Sequence, residues 1–321
     1  MSINQNSLSV KRAGPALGPT SIIAVGGGKG GIGKSFISTS LAISISQLGH
    51  SVTIVDLDLG AANVHTCLGG TIPEKSISDF VTGRVSDLRA ITSNTPFQRL
   101  SFISGSNDSF NIANLNPGAQ ERLMDELKKL PTEYLVLDLG AGTNNSILDF
   151  FLMADKKLVA LTPEPVSVEN AYRFIKSAFF RNLLRTENDL QVQTVVEDAM
   201  DQKNNLGIRT PADLINHVKK VNPLAGQRIA EAIDGFDLDI LVNQIRARSD
   251  IDLGYSIASV CTKYFGISTN YLGYLDHDNA VWQAQRKRRP LITEYPHSRL
   301  VAQFLTIAKN LVHRQIKKAV V

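Results

Sequence analysis

The sequence predicts an α/β fold, a doubly wound and mostly parallel sheet flanked by helices, with a helical insertion. Three observations carry that expectation. Short apolar runs of strand length, at residues 22–25, 51–55, 100–103, 134–138, 157–161 and 238–242, alternate with helix-length segments. The first run leads directly into a glycine-rich stretch, GGGKGGIGKS, at residues 26–35. Two other runs end in acids, Asp56 and Asp138, where an open parallel sheet presents its ligand edge. The 321 residues, 43% hydrophobic and 20% charged, suit one large domain. We read residues 1–20 as a flexible tail and 21–318 as the domain, with an insertion at 185–236 and a terminal helix at 298–318.

The glycine-rich stretch has a chemical reading. Gly28, Gly33, Lys34 and Ser35 satisfy Gly-x4-Gly-Lys-Ser/Thr between a strand and a helix, the setting a phosphate-binding loop needs. Backbone N–H groups from Gly28 through Lys29, Gly30, Gly31, Ile32 and Gly33 can turn inward on phosphate oxygens. The helix opening near Phe36 adds the positive end of its dipole. Lys34 would reach the β- and γ-phosphates, and the Ser35 hydroxyl would hold magnesium. The chain is therefore expected to bind a nucleotide with Mg2+.

The remaining elements follow in order. Residues 38–47 fit a buried helix closed by Gly49. The next strand ends in Asp56-Leu57-Asp58-Leu59-Gly60, and its acids either serve the phosphate site or cap the following turn. Short helical pieces at 63–70 and 75–83 join at Pro73, and a polar stretch at 105–116 follows the strand at 100–103. Pro117 suits the first turn of a helix at 117–129. Asp138 closes its strand as a Walker B acid, holding magnesium through a water, and Gly140 and Gly142 behind it suit a mobile switch. A helix at 167–184 follows Thr162-Pro163-Glu164-Pro165.

Residues 185–236 far exceed the ~2–6 residues usual between elements of α/β units. Thr210 and Pro211 read as a helix start, with Leu214, Ile215, Val218 and Val221 on one face, and 227–233 as another helix. The insertion is either a packing elaboration or a surface for a regulatory protein; both remain open. In the terminal helix, residues 300–308 should cover the sheet, leaving Leu311, Val312 and Ile316 free beside Lys309, Arg314, Lys317 and Lys318. That end is a candidate anchor on a membrane surface, though a short one, or simply the last core helix. The basic run Arg286-Lys287-Arg288-Arg289 suits non-specific DNA or a solvated face. The two cysteines, Cys67 and Cys261, form no Cys-x-x-Cys, which argues for a reduced compartment and against an iron–sulfur carrier. No apolar run approaches the ~20 residues that span a bilayer.

Lys29, the second lysine of the loop, has no evident task within one subunit. The run Lys29-Gly30-Gly31-Ile32-Gly33-Lys34-Ser35 resembles the deviant Walker A of the MinD/ParA family of P-loop ATPases. Asp138-Leu139-Gly140-Ala141-Gly142, Thr162-Pro163-Glu164-Pro165, Val242-Asn243-Gln244, Asp276-His277-Asp278 and Arg289-Pro290 are similar to its FlhG/FleN-like branch, the flagellar-number regulators. The resemblance implies an ATP-dependent homodimer in which Lys29 reaches the partner's nucleotide. It implies slow, partner-stimulated hydrolysis, with Asp58 positioning the water and Asp56 near the magnesium and its waters. By the same analogy Asn243 contacts adenine; as a residue alone it equally caps a loop. The implied protein is cytoplasmic, or peripheral at the inner face of the cell membrane, and controls the placement or number of a cellular structure, flagella foremost. A ParA-like partition ATPase on DNA is the alternative. One departure stands: residues 1–20 lack the Asp-Gln-Ala…Leu-Arg motif with which that branch stimulates a GTPase.

Overall fold

The apolar runs pair side by side into one sheet. The computed structural model describes residues 19–105, 115–201 and 203–314. Its strands are β1 (Ser21–Gly26), β2 (Val52–Leu57), β3 (Thr92–Asn94), β4 (Leu100–Ile103), β5 (Tyr134–Leu139), β6 (Lys156–Leu161), β7 (Asp237–Ile245) and β8 (Ser268–Asp276). Among the described residues their order is β3-β4-β2-β5-β1-β6-β7-β8, parallel except where β3 runs against β4. The chain winds away from β1 first to one side and then to the other. The C-terminal end of β1 is therefore a topological switch point, where ligands of such sheets bind.

Helices cover both faces: α1 (Lys34–Gln47), α2 (Val64–Cys67), α3 (Ile77–Val81), α4 (Pro117–Lys128), α5 (Asn145–Leu152), α6 (Pro165–Thr186), α7 (Leu190–Met200), α8 (Pro211–Val221), α9 (Pro223–Asp234), α10 (Leu253–Phe265), α11 (Asn279–Arg286), α12 (Leu291–Glu294) and α13 (Arg299–His313). Strand alternation decides the sides. Ile22 and Ala24 of β1 face the core built with α3 to α10, whereas Ile23 and Val25 face α1, α2 and α11 to α13.

The structure differs from the sequence expectation at three places. The insertion contains a further helix, α7, whose Val192, Val195 and Val196 read as strand formers yet bury at helical spacing. With Leu214, Val218, Ile229 and Ile233 they join the main core, so the insertion packs as part of the domain, although Val221 of the expected apolar face is 42% exposed. The end of α13 is the second correction. Leu311 is 1% exposed in the core and Val312 packs against it, so neither is free to anchor anything. The Lys156 ammonium donates to the carbonyls of Leu311 and Arg314, and Arg314 pairs with Asp237 and Asp239. Arg314 is thus a structural cation rather than a surface one. Ile316, Lys317 and Lys318 lie outside the described residues. The third place is the expected tail: residues 1–18 also lie outside them, while Thr20 is tied down, its hydroxyl donating to the Thr132 carbonyl at 2.8 Å. Among the described residues no helix is long and apolar enough to cross a membrane.

Candidate nucleotide-binding site

The loop after β1 is shaped by what crowds it. A Cβ at Gly28 would stand 2.1 Å from the carbonyl oxygen of Asn170 on α6, so no side chain fits there. Gly33 has φ +93°, and a Cβ on it would meet the Asn243 amide at 2.7 Å. α1 starts at the next residue, two residues earlier than the sequence pattern suggested, with no acid in its first turn. Its unpaired N–H groups and positive end therefore point into the loop. Lys34 is 8% exposed and lies with its ammonium 3.3 Å from the Lys29 carbonyl. Burial lowers its pKa, against the nearby charges of Asp138 and Asp58.

The acids come from the neighbouring strands. Asp56 and Asp138 are register partners on β2 and β5, both fully buried. The Asp56 oxygens accept the N–H groups of Asp58 at 3.1 Å and Val64 at 3.0 Å. Asp138 accepts the Ser38 hydroxyl on Oδ1 at 2.8 Å and is also hydrogen-bonded by Ser35. Its Oδ2 is buried with no hydrogen-bond partner. Burial, then the adjacent Asp138 charge, raises the Asp56 pKa well above the carboxylate range; burial raises that of Asp138 too. Two buried carboxylates side by side, one with an idle oxygen, hold more negative charge than the single nearby Lys34 ammonium balances. A divalent cation would fit there, with the Ser35 hydroxyl and, through water, Asp138 as the groups that could hold it. Among the described residues no group of three or more His, Cys, Asp or Glu could hold a metal unaided. Phosphate oxygens and waters would complete the shell, as is usual for magnesium.

Asp58 stands past the strand end, and a Cβ on Gly140 would lie 3.2 Å from its Oδ1, so the two expected switches touch. Gly30, Gly31, Gly33, Lys34, Ser35, Phe36 and Asp58 border one cavity of about 530 Å3. Asn243 lies instead beside a smaller pocket of about 240 Å3 that shares Gly31, Gly33 and Phe36. Its side chain is engaged: Nδ2 donates to the Ile32 carbonyl at 2.8 Å, and Oδ1 accepts the Gln244 N–H. Ile32 is packed into the core beneath the loop, and Phe36 stacks edge-on against Phe304. Lys29 is half-buried, and its ammonium meets Glu164 at 3.2 Å, so it does have a partner within its own subunit.

Sequence reasoning missed several neighbours of this site. Thr39, Cys67 and Arg289 also border the larger cavity. Burial pushes the Cys67 thiol up to about 12, which leaves it inert. The basic run is largely engaged: Lys287 and Arg289 pair with Glu294, and the Arg286 guanidinium lies over the Trp282 ring. Glu164 could have been found from its place beside Pro165 at a helix start. Asn243 and Ile32 had no shared signal, being 211 residues apart.

Known proteins were compared with this chain. The family model for ParA, described as NUBPL iron-transfer P-loop NTPase, matches residues 19–199. The antiactivator FleN of Pseudomonas aeruginosa is 24% identical over 91% of this chain and 86% of its own. The flagellum site-determining protein YlxH of Helicobacter pylori is 33% identical over 50% of this chain and 54% of its own length. Among solved structures, the septum site-determining protein MinD of Pyrococcus horikoshii, complexed with Mg-ADP, superposes with a TM-score of 0.61 at 18% identity, covering 92% of this chain and 96% of that one. At that identity the likeness speaks to the fold.

Proposed function

The chain belongs to the ParA/MinD family of P-loop NTPases, and from that membership we propose that it is a cytoplasmic ATPase switch that dimerises on ATP and sets the number or placement of flagella. Proteins of this family are ATPases. The observation that carries the reading here is the buried Asp56–Asp138 pair with an idle Oδ2 beside the loop, an excess of negative charge that a cation would balance.

The proposed division of labour follows the geometry. The loop amides and Lys34 bind the phosphates, while Ser35 and Asp138 would hold a magnesium ion, which when bound would neutralise charge on the transferred phosphoryl group. Asp58 orients the water that attacks the γ-phosphate, leaving ADP and phosphate. Lys29 leaves Glu164 to touch the phosphates of the partner subunit. A surface pair of this kind stabilises by only about 0–1 kcal/mol, so exchanging it costs little. Iron transfer is not part of the reading: Cys67 and Cys261 sit on α2 and α10, on opposite faces of the sheet.

The flagellar output rests on similarity to FleN over 91% of this chain. Light scattering with ATP and magnesium tests the switch. Lys34→Ala should lose nucleotide binding; Lys29→Ala should bind ATP yet stay monomeric; Asp58→Ala should form dimers that persist. Full ATP affinity in Lys34→Ala would sink the site assignment.

A further inference from the structure

We propose that the seam between the insertion and the rest of the domain is a docking groove for a protein segment that carries a large apolar side chain flanked by acidic residues. The seam is a half-open cavity of about 350 Å3 between α6, the end of α7, the start of α8 and the end of α10. Its floor is aromatic. Phe179, Phe180 and Phe265 are buried there, with the Phe179 and Phe265 ring centroids 5.3 Å apart. Tyr264 stands at its border with 51% of its surface in water.

Charge selects the occupant. Lys176 and Arg209 border the cavity, and among the described residues no carboxylate lines it. The Lys176 ammonium donates to the Met200 carbonyl at 2.6 Å, and among the described residues it forms no ion pair. Lys263 adds a third cation over the Tyr264 ring. Asp213, at the start of α8, is held in the helix cap, accepting the N–H groups of Arg209 and Thr210 and the Thr210 hydroxyl, so one carboxylate stands beside three cations. A cavity this size is at the small end of ligand pockets, which run ~300–1,000 Å3, and suits one anchoring side chain with its backbone. The excess of positive charge favours acids on either side of that anchor.

The groove also has a route to the phosphate loop. α6 carries both Asn170, against Gly28, and the groove residues Lys176, Phe179 and Phe180 one to three turns on.

Fluorescence anisotropy on the full chain without nucleotide tests the proposal. Two labelled peptides share a Trp-Leu anchor; one is flanked by Asp and Glu, the other by Lys. The acidic peptide should bind saturably and the basic one roughly tenfold more weakly or not at all. Ala199→Phe, which fills the groove from its half-buried wall, and Arg209→Glu should each weaken the acidic peptide by roughly tenfold or more, with ATP binding intact. Equal binding of both peptides, binding that survives both substitutions, or no saturable binding overturns the proposal. So does sedimentation with phosphatidylglycerol vesicles that Ala199→Phe abolishes while neither peptide binds, since the surface then faces lipid. Because the binding is read without nucleotide, its failure leaves the ATPase reading untouched.

Discussion

Removing the Asn243 amide should loosen the phosphate loop rather than blind the protein to adenine. Asn243 is 4% exposed and bridges β7 to the loop: Nδ2 donates to the Ile32 carbonyl, and Oδ1 accepts the N–H of Gln244, whose φ is +60°. In Asn243→Ala the Ile32 carbonyl remains buried without that donor. A buried polar group left unpaired costs about 1–3 kcal/mol. If binding must restore the loop against that cost, affinity falls by roughly fivefold to 150-fold, since 1.4 kcal/mol is a factor of ten. Titration calorimetry with magnesium separates the two roles, using ATP and inorganic triphosphate as ligands. A clasp on the loop weakens both by a similar factor. Loss of ATP affinity with triphosphate unchanged would refute the clasp and return Asn243 to the base; no change in either would make the contact irrelevant.

Two other outcomes follow from buried groups. The raised pKa values of Asp56, up to about 8, and Asp138 mean that the folded protein keeps protons which the unfolded chain has released. Stability of the nucleotide-free protein should therefore fall as pH rises from the ordinary carboxylate range toward 8. Asp138→Asn keeps an oxygen for Ser38 and replaces the idle Oδ2 with a donor. Differential scanning fluorimetry without magnesium should find it more stable than the parent at pH 8, by at least about 1 kcal/mol, or roughly 2–4 °C, while turnover is lost; an equally steep pH dependence would contradict the carboxylate pair. Leu311→Ala should lower stability by about 2–4 kcal/mol, because its side chain is core. A thermal midpoint equal to the parent's would return Leu311 to the surface and revive the anchor.

Much of the fold was legible because its strands are short, apolar and separated by recognisable punctuation. The runs ending at Val25, Val55, Ile103, Asp138 and Leu161 all became strands of the sheet, four of them lengthened by a residue or two. Segments with weaker local patterns were not foreseen. α5 has only eight residues, β3 has three, and α7 is rich in β-branched side chains; each is stabilised by what packs against it. The insertion's two readings could not be separated locally, because one helix can bury Val218 and expose Val221 three residues later.

By itself the sequence determined the phosphate loop, since its glycines, Lys34 and Ser35 act through backbone turns and a helix start within ten contiguous residues. It likewise determined that acids end two of the strands. Only the tertiary structure decided that Asp56 and Asp138 stand side by side, that Asn243 clasps Ile32, that Lys29 rests on Glu164, and that Leu311 is core. The physical reason is range. Turn and cap chemistry is closed within a few residues, whereas strand order and helix docking bring together groups far apart in the chain, and the energies of burial and unpaired charge arise only once those groups meet.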